Sequence, residues 1–215
     1  MQSKTILFDL DGTITDSSIG IINSVKYALG KLGEIIPADN DLYKFIGPPL
    51  HKSFEIFCGY NEEKASYAVE VFREYFRSKG IFENRLFDGI LDVLETLSKE
   101  NNLFIASSKP QVFVDQILEY FKIDHLFFKT YGSSLDGSFT DKSEIIEKII
   151  KEHDLNRSLT IMIGDRYHDE TGAIENEIQF IRAGYGYGKP EEFKLTEGYV
   201  AEKPQEILEI IKNMM

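Results

Sequence analysis

"TILFDLDGTITD", residues 5–16, joins a four-residue run with three consecutive apolar positions to Asp9, Asp11, Thr13 and Asp16, with Gly12 among them. A strand that is apolar at consecutive positions is covered on both faces, the condition of a strand inside a parallel sheet. Its polar residues then fall at the carboxyl end, where open α/β sheets bind their ligands. In an extended chain residues two apart share a side, so Asp9 and Asp11 are expected to present two carboxylates to one place. Gly12 lets the chain turn away after them. Taken alone, Asp-x-Asp-Gly reads as a polar turn. A calcium loop starting at Asp9 is excluded, because its sixth and twelfth positions need glycine and glutamate and hold Ile14 and Gly20.

Further runs of strand length follow: "LFIAS" (103–107), "FFKTYG" (127–132), "LTIMIG" (159–164) and "IQFIRA" (178–183). Between them apolar residues recur at helical spacing, as in Ile90, Leu91, Val93, Leu94 and Leu97, or Ile145, Ile146, Ile149 and Ile150. Alternating strands and helices predict an α/β fold, a Rossmann-like parallel sheet with helices on both faces. Residues 16–86 break the alternation. They offer no strand of comparable quality. Ile19, Ile22, Val25, Leu29 and Leu32, and then Ala65, Val69, Phe72 and Phe76, keep helical spacing, with "GPP" at 47–49 as a breaker. The expected organisation is an α/β core of residues 1–15 and 87–215 with an inserted all-helical domain at 16–86.

A chain of 215 residues, 42% hydrophobic, can bury a full core. Its 24 basic and 36 acidic residues leave a net charge of -12, which repels a phosphate backbone and excludes nucleic acid as a partner. The surface charge is compatible with monomer or homodimer. The single cysteine, Cys58, can form no intrachain disulfide and is expected to be a small buried side chain beside Phe54, Ile56 and Phe57. No apolar stretch reaches membrane-spanning length, and the apolar run near the N-terminus is too short for a secretory signal. These features predict a cytoplasmic protein with no membrane partner.

Polar clusters stand behind the other strand runs. Ser107, Ser108 and Lys109 follow "LFIA"; "GSSLDGSFTDKSE" (132–144) carries Lys142 at the start of a helical pattern; Asp165 follows "LTIMIG", with Asp169 four residues on. Singly, Ser107 and Asp165 read as helix caps and Lys142 as a solvated lysine. At successive strand ends of one sheet they converge on Asp9 and Asp11. Two carboxylates 4 Å apart repel by roughly 4 kcal/mol at an effective dielectric near 20, so such a group demands a cation. An all-oxygen donor set suits a small hard ion, magnesium.

With these motifs the chain resembles the haloacid dehalogenase superfamily of phosphatases: "DLDGT" (9–13) stands as the first motif, Ser107 as the second, Lys142 as the third and "GDRYHD" (164–169) as the fourth. "IASSKPQVF", "GSSLDGSFTDKSEII" and "MIGDRYHDETGA" are most similar to its phosphoglycolate-phosphatase-like branch, which carries a helical cap after the first motif. The second motif often has threonine where this chain has Ser107; the hydroxyl is kept. The resemblance implies Asp9 as the nucleophile that becomes an aspartyl phosphate, and Asp11 as the acid and then the base. It implies magnesium on the Asp9 carboxylate, the Asp11 backbone carbonyl and Asp165, with Asp169 as ligand or support. It implies phosphoryl binding by Ser107 and Lys142, with Gly12, Thr13 and Ser108 adding donors. Asp16 reads rather as a cap of the first cap helix. The cap would choose the substrate, with Gly47, Pro48 and Pro49 in "FIGPPL" (45–50) shaping a loop toward the site.

"RAGYGYGK" (182–189) fits neither glycine-rich nucleotide pattern, because position 183 is alanine and Lys189 precedes Pro190; it reads as a loop over the sheet edge. His51, His125, His153 and His168 show no ligand spacing. The expected activity is magnesium-dependent hydrolysis of a small phosphorylated metabolite, phosphoglycolate or a nucleoside monophosphate. A sugar-phosphate mutase of the same superfamily is the alternative. Dehalogenation is disfavoured because halide needs no general acid, and a phosphorylation-controlled receiver module because its phosphorylated aspartate lies on the third strand.

Overall fold

Thr5–Phe8 is a strand, and all four of its residues are buried. The computed structural model describes residues 3–136, 139–195 and 198–214. Along the chain the strands are β1 (Thr5–Phe8), β2 (Thr15–Asp16), β3 (Arg85–Leu86), β4 (Asn102–Pro110), β5 (Lys129–Ser133), β6 (Thr160–Gly164), β7 (Gln179–Ala183) and β8 (Tyr199–Ala201). The helices are α1 (Ser18–Lys31), α2 (Asp39–Leu42), α3 (Leu50–Cys58), α4 (Glu62–Ser78), α5 (Ile90–Leu97), α6 (Gln111–Phe121), α7 (Lys142–His153), α8 (Tyr167–Glu175) and α9 (Glu206–Asn213).

Six strands form one sheet in the order β5-β4-β1-β6-β7-β8, and every pairing is parallel. β1 lies in the middle, with Leu7 opposite Phe104 on one side and Met162 on the other. The strand order reverses about β1, so the carboxyl ends of β1, β4 and β6 flank the switch point at which such sheets take ligands. Leu7, Phe104, Ala106 and Met162 pack with Ile145, Ile146, Ile149 and Ile150 of α7 and Ala173 of α8 in one apolar cluster. Ile6 and Phe8, on the opposite face by strand alternation, are buried as completely. The fold is the Rossmann-like α/β arrangement expected from the sequence.

Two features of the sheets were not expected. β8 adds a sixth strand, three residues long and too short to stand out by composition. β2 and β3 pair as a separate two-stranded sheet at the two ends of the stretch expected to be wholly helical; they are two residues each.

By density of internal contacts the chain divides into two compact units, Met1–Thr15 with Leu86–Met215, and Asp16–Arg85. In the second unit α1 packs against α4 through buried Ile21, Ile22, Val25, Ala28 and Leu29 on one helix and Ala65, Ala68, Val69, Phe72 and Phe76 on the other. Asn61 caps α4, its side-chain oxygen accepting from Lys64 N at 2.9 Å. Asp16 stands just ahead of α1 and accepts from Ser18 N (3.3 Å) and Ser18 Oγ (2.6 Å) through Oδ1. Its Oδ2 takes two bonds from the Arg85 guanidinium, at 2.8 and 3.0 Å. Cys58 is only half-buried, against expectation: it is the last residue of α3, before the left-handed Gly59 (φ 68°), where the helix leaves its buried side.

Gly20 of α1 lies directly on the turn after α4: a Cβ there would stand 1.9 Å from Gly80 O. Gly20→Ala is therefore expected to destabilise the Asp16–Arg85 unit by about 1–3 kcal/mol, the usual cost of overpacking. Urea unfolding followed by circular dichroism measures it, and a variant as stable as the parent contradicts the close approach.

Candidate active site

The turn that follows β1 is built on one carbonyl. Asp9 N still joins the sheet ladder, donating to Ile163 O at 2.9 Å, but Leu10 O then accepts from the amides of Thr13, Ile14 and Thr15. Gly12 adopts φ 86°, and a Cβ on it would fall 2.2 Å from Asp165 Oδ2. Glycine serves here both the positive φ and the approach of β6's end to β1's end. Thr13 is fully buried, and its Oγ1 has no hydrogen-bond partner among the described residues.

Asp9, Asp165 and Asp169 each offer a carboxylate oxygen, and the three oxygens lie within 4.8 Å of one another. All three residues are buried. Lys142, the first residue of α7, reaches in with Nζ 2.8 Å from Asp9 Oδ1, 2.8 Å from Asp169 Oδ1 and 2.8 Å from Ala106 O. Far from being a solvated surface lysine, it is 5% exposed. Asp141 sets its direction by capping α7, its Oδ1 accepting from Ser143 N at 2.8 Å and Glu144 N at 3.4 Å. Burial opposes the Lys142 charge, but Asp169 and Asp9 outweigh it and hold the ammonium above the ordinary lysine range.

One ammonium does not neutralise three carboxylates. Burial pushes the Asp9 carboxyl up to about 6 even against the pull of Lys142, with Asp169 adding to the rise. Burial, then Asp169 and Asp9, raise Asp165 well above the carboxylate range. Asp165 Oδ2 accepts from Tyr187 N at 2.7 Å, whereas its buried Oδ1 has no hydrogen-bond partner among the described residues. An uncompensated, all-oxygen group with a spare buried acceptor fits a divalent metal ion. Asp169 also closes the first turn of α8, its Oδ2 accepting from Arg166 N at 3.0 Å. The cap expected of Asp165 is thus made by Asp169.

Asp11 departs from the expected side-by-side pair. Its carboxylate is not among the three gathered oxygens, although its charge still adds to the rise of the Asp9 carboxyl. Asp11 Oδ2 is held instead by Lys109 Nζ at 2.5 Å, both side chains nearly buried. Ser107, a residue of β4 that is 2% exposed, accepts from Lys109 N through Oγ at 3.3 Å. The Ser108 hydroxyl donates to Thr140 O at 3.0 Å, so its one proton is committed to the loop ahead of α7. Within that loop Gly137 and Ser138 lie outside the described residues. Gly47 (φ 102°), Pro48 and Pro49 belong to the Asp16–Arg85 unit and precede α3. Burial, then Lys142 and Arg166, push the half-buried His168 down to about 4, a neutral ring at pH 7.

Sequence reasoning missed the part played by "RAGYGYGK". The segment lies against the site: Tyr187 N bonds Asp165, and Tyr185 Oη donates to Thr13 O at 2.8 Å. A Cβ on Gly186 would stand 2.3 Å from Asp165 Cβ, and one on Gly188 1.8 Å from Asp165 O. The signal was the alternation of glycines at a strand's carboxyl end, where backbone must pass close to something. Lys109, directly behind two hydroxyl residues at another strand end, carried a fainter one.

Residues 6–183 match the model of the haloacid dehalogenase-like hydrolases. A 5′-nucleotidase of Pseudomonas aeruginosa is 45% identical over 195 residues, 90% of this chain and 88% of the relative. The tyrosine-protein kinase PtkA of Mycobacterium tuberculosis is 33% identical over 187 residues, 86% of this chain but 64% of its own length. The crystal structure of a predicted phosphatase from Clostridium acetobutylicum is 40% identical with a TM-score of 0.94, covering 99% of this chain and 100% of that one.

Removing one partner of a buried ion pair costs about 3–5 kcal/mol. Lys142→Met is expected to lose stability on that scale in urea unfolding without divalent metal, and Asp9→Asn added to it should recover part of the loss. A fully additive double variant would show that the two groups are not coupled in the folded protein.

Proposed function

The chain belongs to the haloacid dehalogenase-like hydrolase family and is a phosphatase, and from that premise we propose that it is a magnesium-dependent phosphomonoesterase for nucleoside 5′-monophosphates or metabolites of similar size. The observation that carries the chemistry is the buried group of Asp9, Asp165 and Asp169 with Lys142 at its centre. The likeness to the 5′-nucleotidase supports the substrate. Asp9, the Asp11 backbone carbonyl and Asp165 would hold the ion, with Asp169 beside them. When bound it neutralises the phosphoryl oxygens and the carboxylates around them.

Asp9 attacks phosphorus as a carboxylate: an Asp9 oxygen–phosphorus bond forms as the ester P–O bond breaks, and Asp11 gives its proton to the departing alkoxide. Asp11, now ionised, takes a proton from water as the water oxygen bonds phosphorus. The Asp9–phosphorus bond breaks and inorganic phosphate leaves. Lys142 balances charge on Asp9 throughout, and Ser107, with Gly12 and Thr13, orients the phosphoryl oxygens. Ser108 acts on the phosphate through the loop that its hydroxyl holds. We assign Asp16–Arg85 the part of a cap that selects the leaving group, with Gly47, Pro48 and Pro49 in the selecting loop. The single cysteine agrees with a reducing compartment such as the cytoplasm.

The likeness to a tyrosine kinase favours one second reading, in which the phosphoryl group on Asp9 passes to a hydroxyl acceptor and not to water. A mutase differs in the same way, its acceptor being a sugar hydroxyl. Inorganic phosphate released in step with the alcohol supports hydrolysis; phosphate retained on a second organic product supports transfer.

Activity should disappear in excess chelator and return with magnesium, whereas calcium, with its larger and looser coordination, should restore little. Undiminished activity in chelator rules out the metal.

Asp11→Asn can neither give nor take the proton, a help worth about a hundred- to ten-thousandfold in rate. With an aryl phosphate, whose phenol leaves unaided, it should release close to one equivalent of phenol per site in a burst and stall. Asp9→Asn should show no burst. Steady turnover by the first variant, or a burst from the second, would mean that these roles are misassigned.

A further inference from the structure

Lys142 and Lys109 are both buried beside the catalytic carboxylates, yet they do different things. The Nζ of Lys142 has an acceptor in each of three directions, Asp9, Asp169 and Ala106 O, and nothing left for Asp11. Asp11 is served by Lys109 alone among the lysines that the ion pairs include: Nζ to Oδ2, 2.5 Å, with side chains 7% and 11% exposed. The other Asp11 oxygen, Oδ1, is buried without a hydrogen-bond partner among the described residues. One oxygen is clamped and the other carries no hydrogen bond among the described residues.

The backbone that carries Lys109 is fixed on several sides. Its N–H is bonded to Ser107 Oγ. The β4–β5 register shifts between Ala106 and Pro110, which leaves Ser107–Lys109 outside the regular ladder. Gly132 of β5 passes so close that a Cβ on it would lie 2.7 Å from Lys109 O. Pro110 then ends the segment and leads into α6. A long, flexible side chain has been given a rigid base and a buried end, the arrangement that holds a partner in one rotamer.

We propose that Lys109 is the positioning residue of the proton-transfer step: it holds Asp11 Oδ2 so that Oδ1 alone exchanges the proton, first with the leaving alkoxide and then with the attacking water. The inference rests on the reading of Asp11 as acid and base. An oxygen bonded to an ammonium accepts equally as a carboxylate oxygen and as the carbonyl of a protonated carboxyl, so the clamp survives both half-reactions. Lys109 touches neither phosphorus nor metal in this scheme, and its effect reaches the substrate only through Asp11.

The test is a double-mutant cycle on the magnesium-loaded protein with adenosine 5′-monophosphate as the alkyl ester and p-nitrophenyl phosphate as the aryl ester. Lys109→Met should lower kcat on the alkyl ester by about 10- to 100-fold, lower the aryl burst much less, and leave competitive inhibition by inorganic phosphate unchanged. In the Asp11→Asn background the same replacement should cost almost nothing, because the residue it positions can no longer transfer a proton. Lys109→Arg, which keeps the charge but changes the fork, should restore part of the alkyl-ester rate. If Lys109→Met does not fold, Lys109→Arg alone still decides: a lowered ratio of alkyl to aryl turnover supports the clamp, and an unchanged ratio overturns it. Weakened inhibition by phosphate in proportion to the lost rate, or equal losses with and without the Asp11 carboxylate, would make Lys109 a phosphate-binding residue and overturn the inference. An Asp11→Asn enzyme with full activity would remove the premise; an inactive Asp11→Asn beside an unimpaired Lys109→Met removes the clamp alone.

Discussion

The ammonium of Lys142 sits where three parts of the chain would otherwise repel one another. Asp9 just after β1 and Asp169 in the first turn of α8 are both 2.8 Å from it, and Ala106 O, midway along β4, completes its set. Without that charge, holding the end of β1 and the first turn of α8 together would cost several kcal/mol, since each ionised carboxylate added to a buried group is penalised on that scale. The lysine in turn needs α7 to begin at that place, which is what the Asp141 cap and the isoleucines of α7 secure. Packing of an apolar helix face is thereby converted into the placement of one positive charge.

The parallel sheet does the rest of the positioning. Because β1 is central and the order reverses on either side of it, residues distant in sequence finish within a few ångströms at one edge. Glycine then sets how near they come. At Gly12, Gly164, Gly186 and Gly188 a single carbon would overlap Asp165 or Asp169, so the carboxylates are walled by backbone. Side chains could be excluded from such a wall only by residues that have none.

Much of this was legible in the sequence. The run Thr5–Phe8 is apolar at three consecutive positions and became the central strand; the isoleucine pairs of α7 and the spacing in α4 became buried faces. The convergence of Asp9, Lys142, Asp165 and Asp169 followed from placing polar clusters at successive strand ends. What stayed hidden depends on geometry finer than an element. Asp11 finds its partner in Lys109, 98 residues on, through side-chain geometry that no periodicity records. β8 is a strand because β7 is beside it, its three residues having little preference of their own. The glycines near Tyr185 and Tyr187 look like any loop until Asp165 is placed against them.

Strand order and chain order disagree here, and synthesis proceeds in chain order. Asp9 leaves the ribosome well before Lys142, Asp165 and Tyr187, which follow in that sequence. A nascent chain that has completed β1, β4 and β5 therefore owns the Asp9 carboxylate but neither the ammonium that pairs with it nor the strand β6 that must slot in beside β1. Until then one edge of β1 is an open row of backbone donors and acceptors. The central strand, buried deepest in the finished protein, is thus exposed longest during translation, which makes the interval before β6 emerges the period of greatest aggregation hazard for this chain.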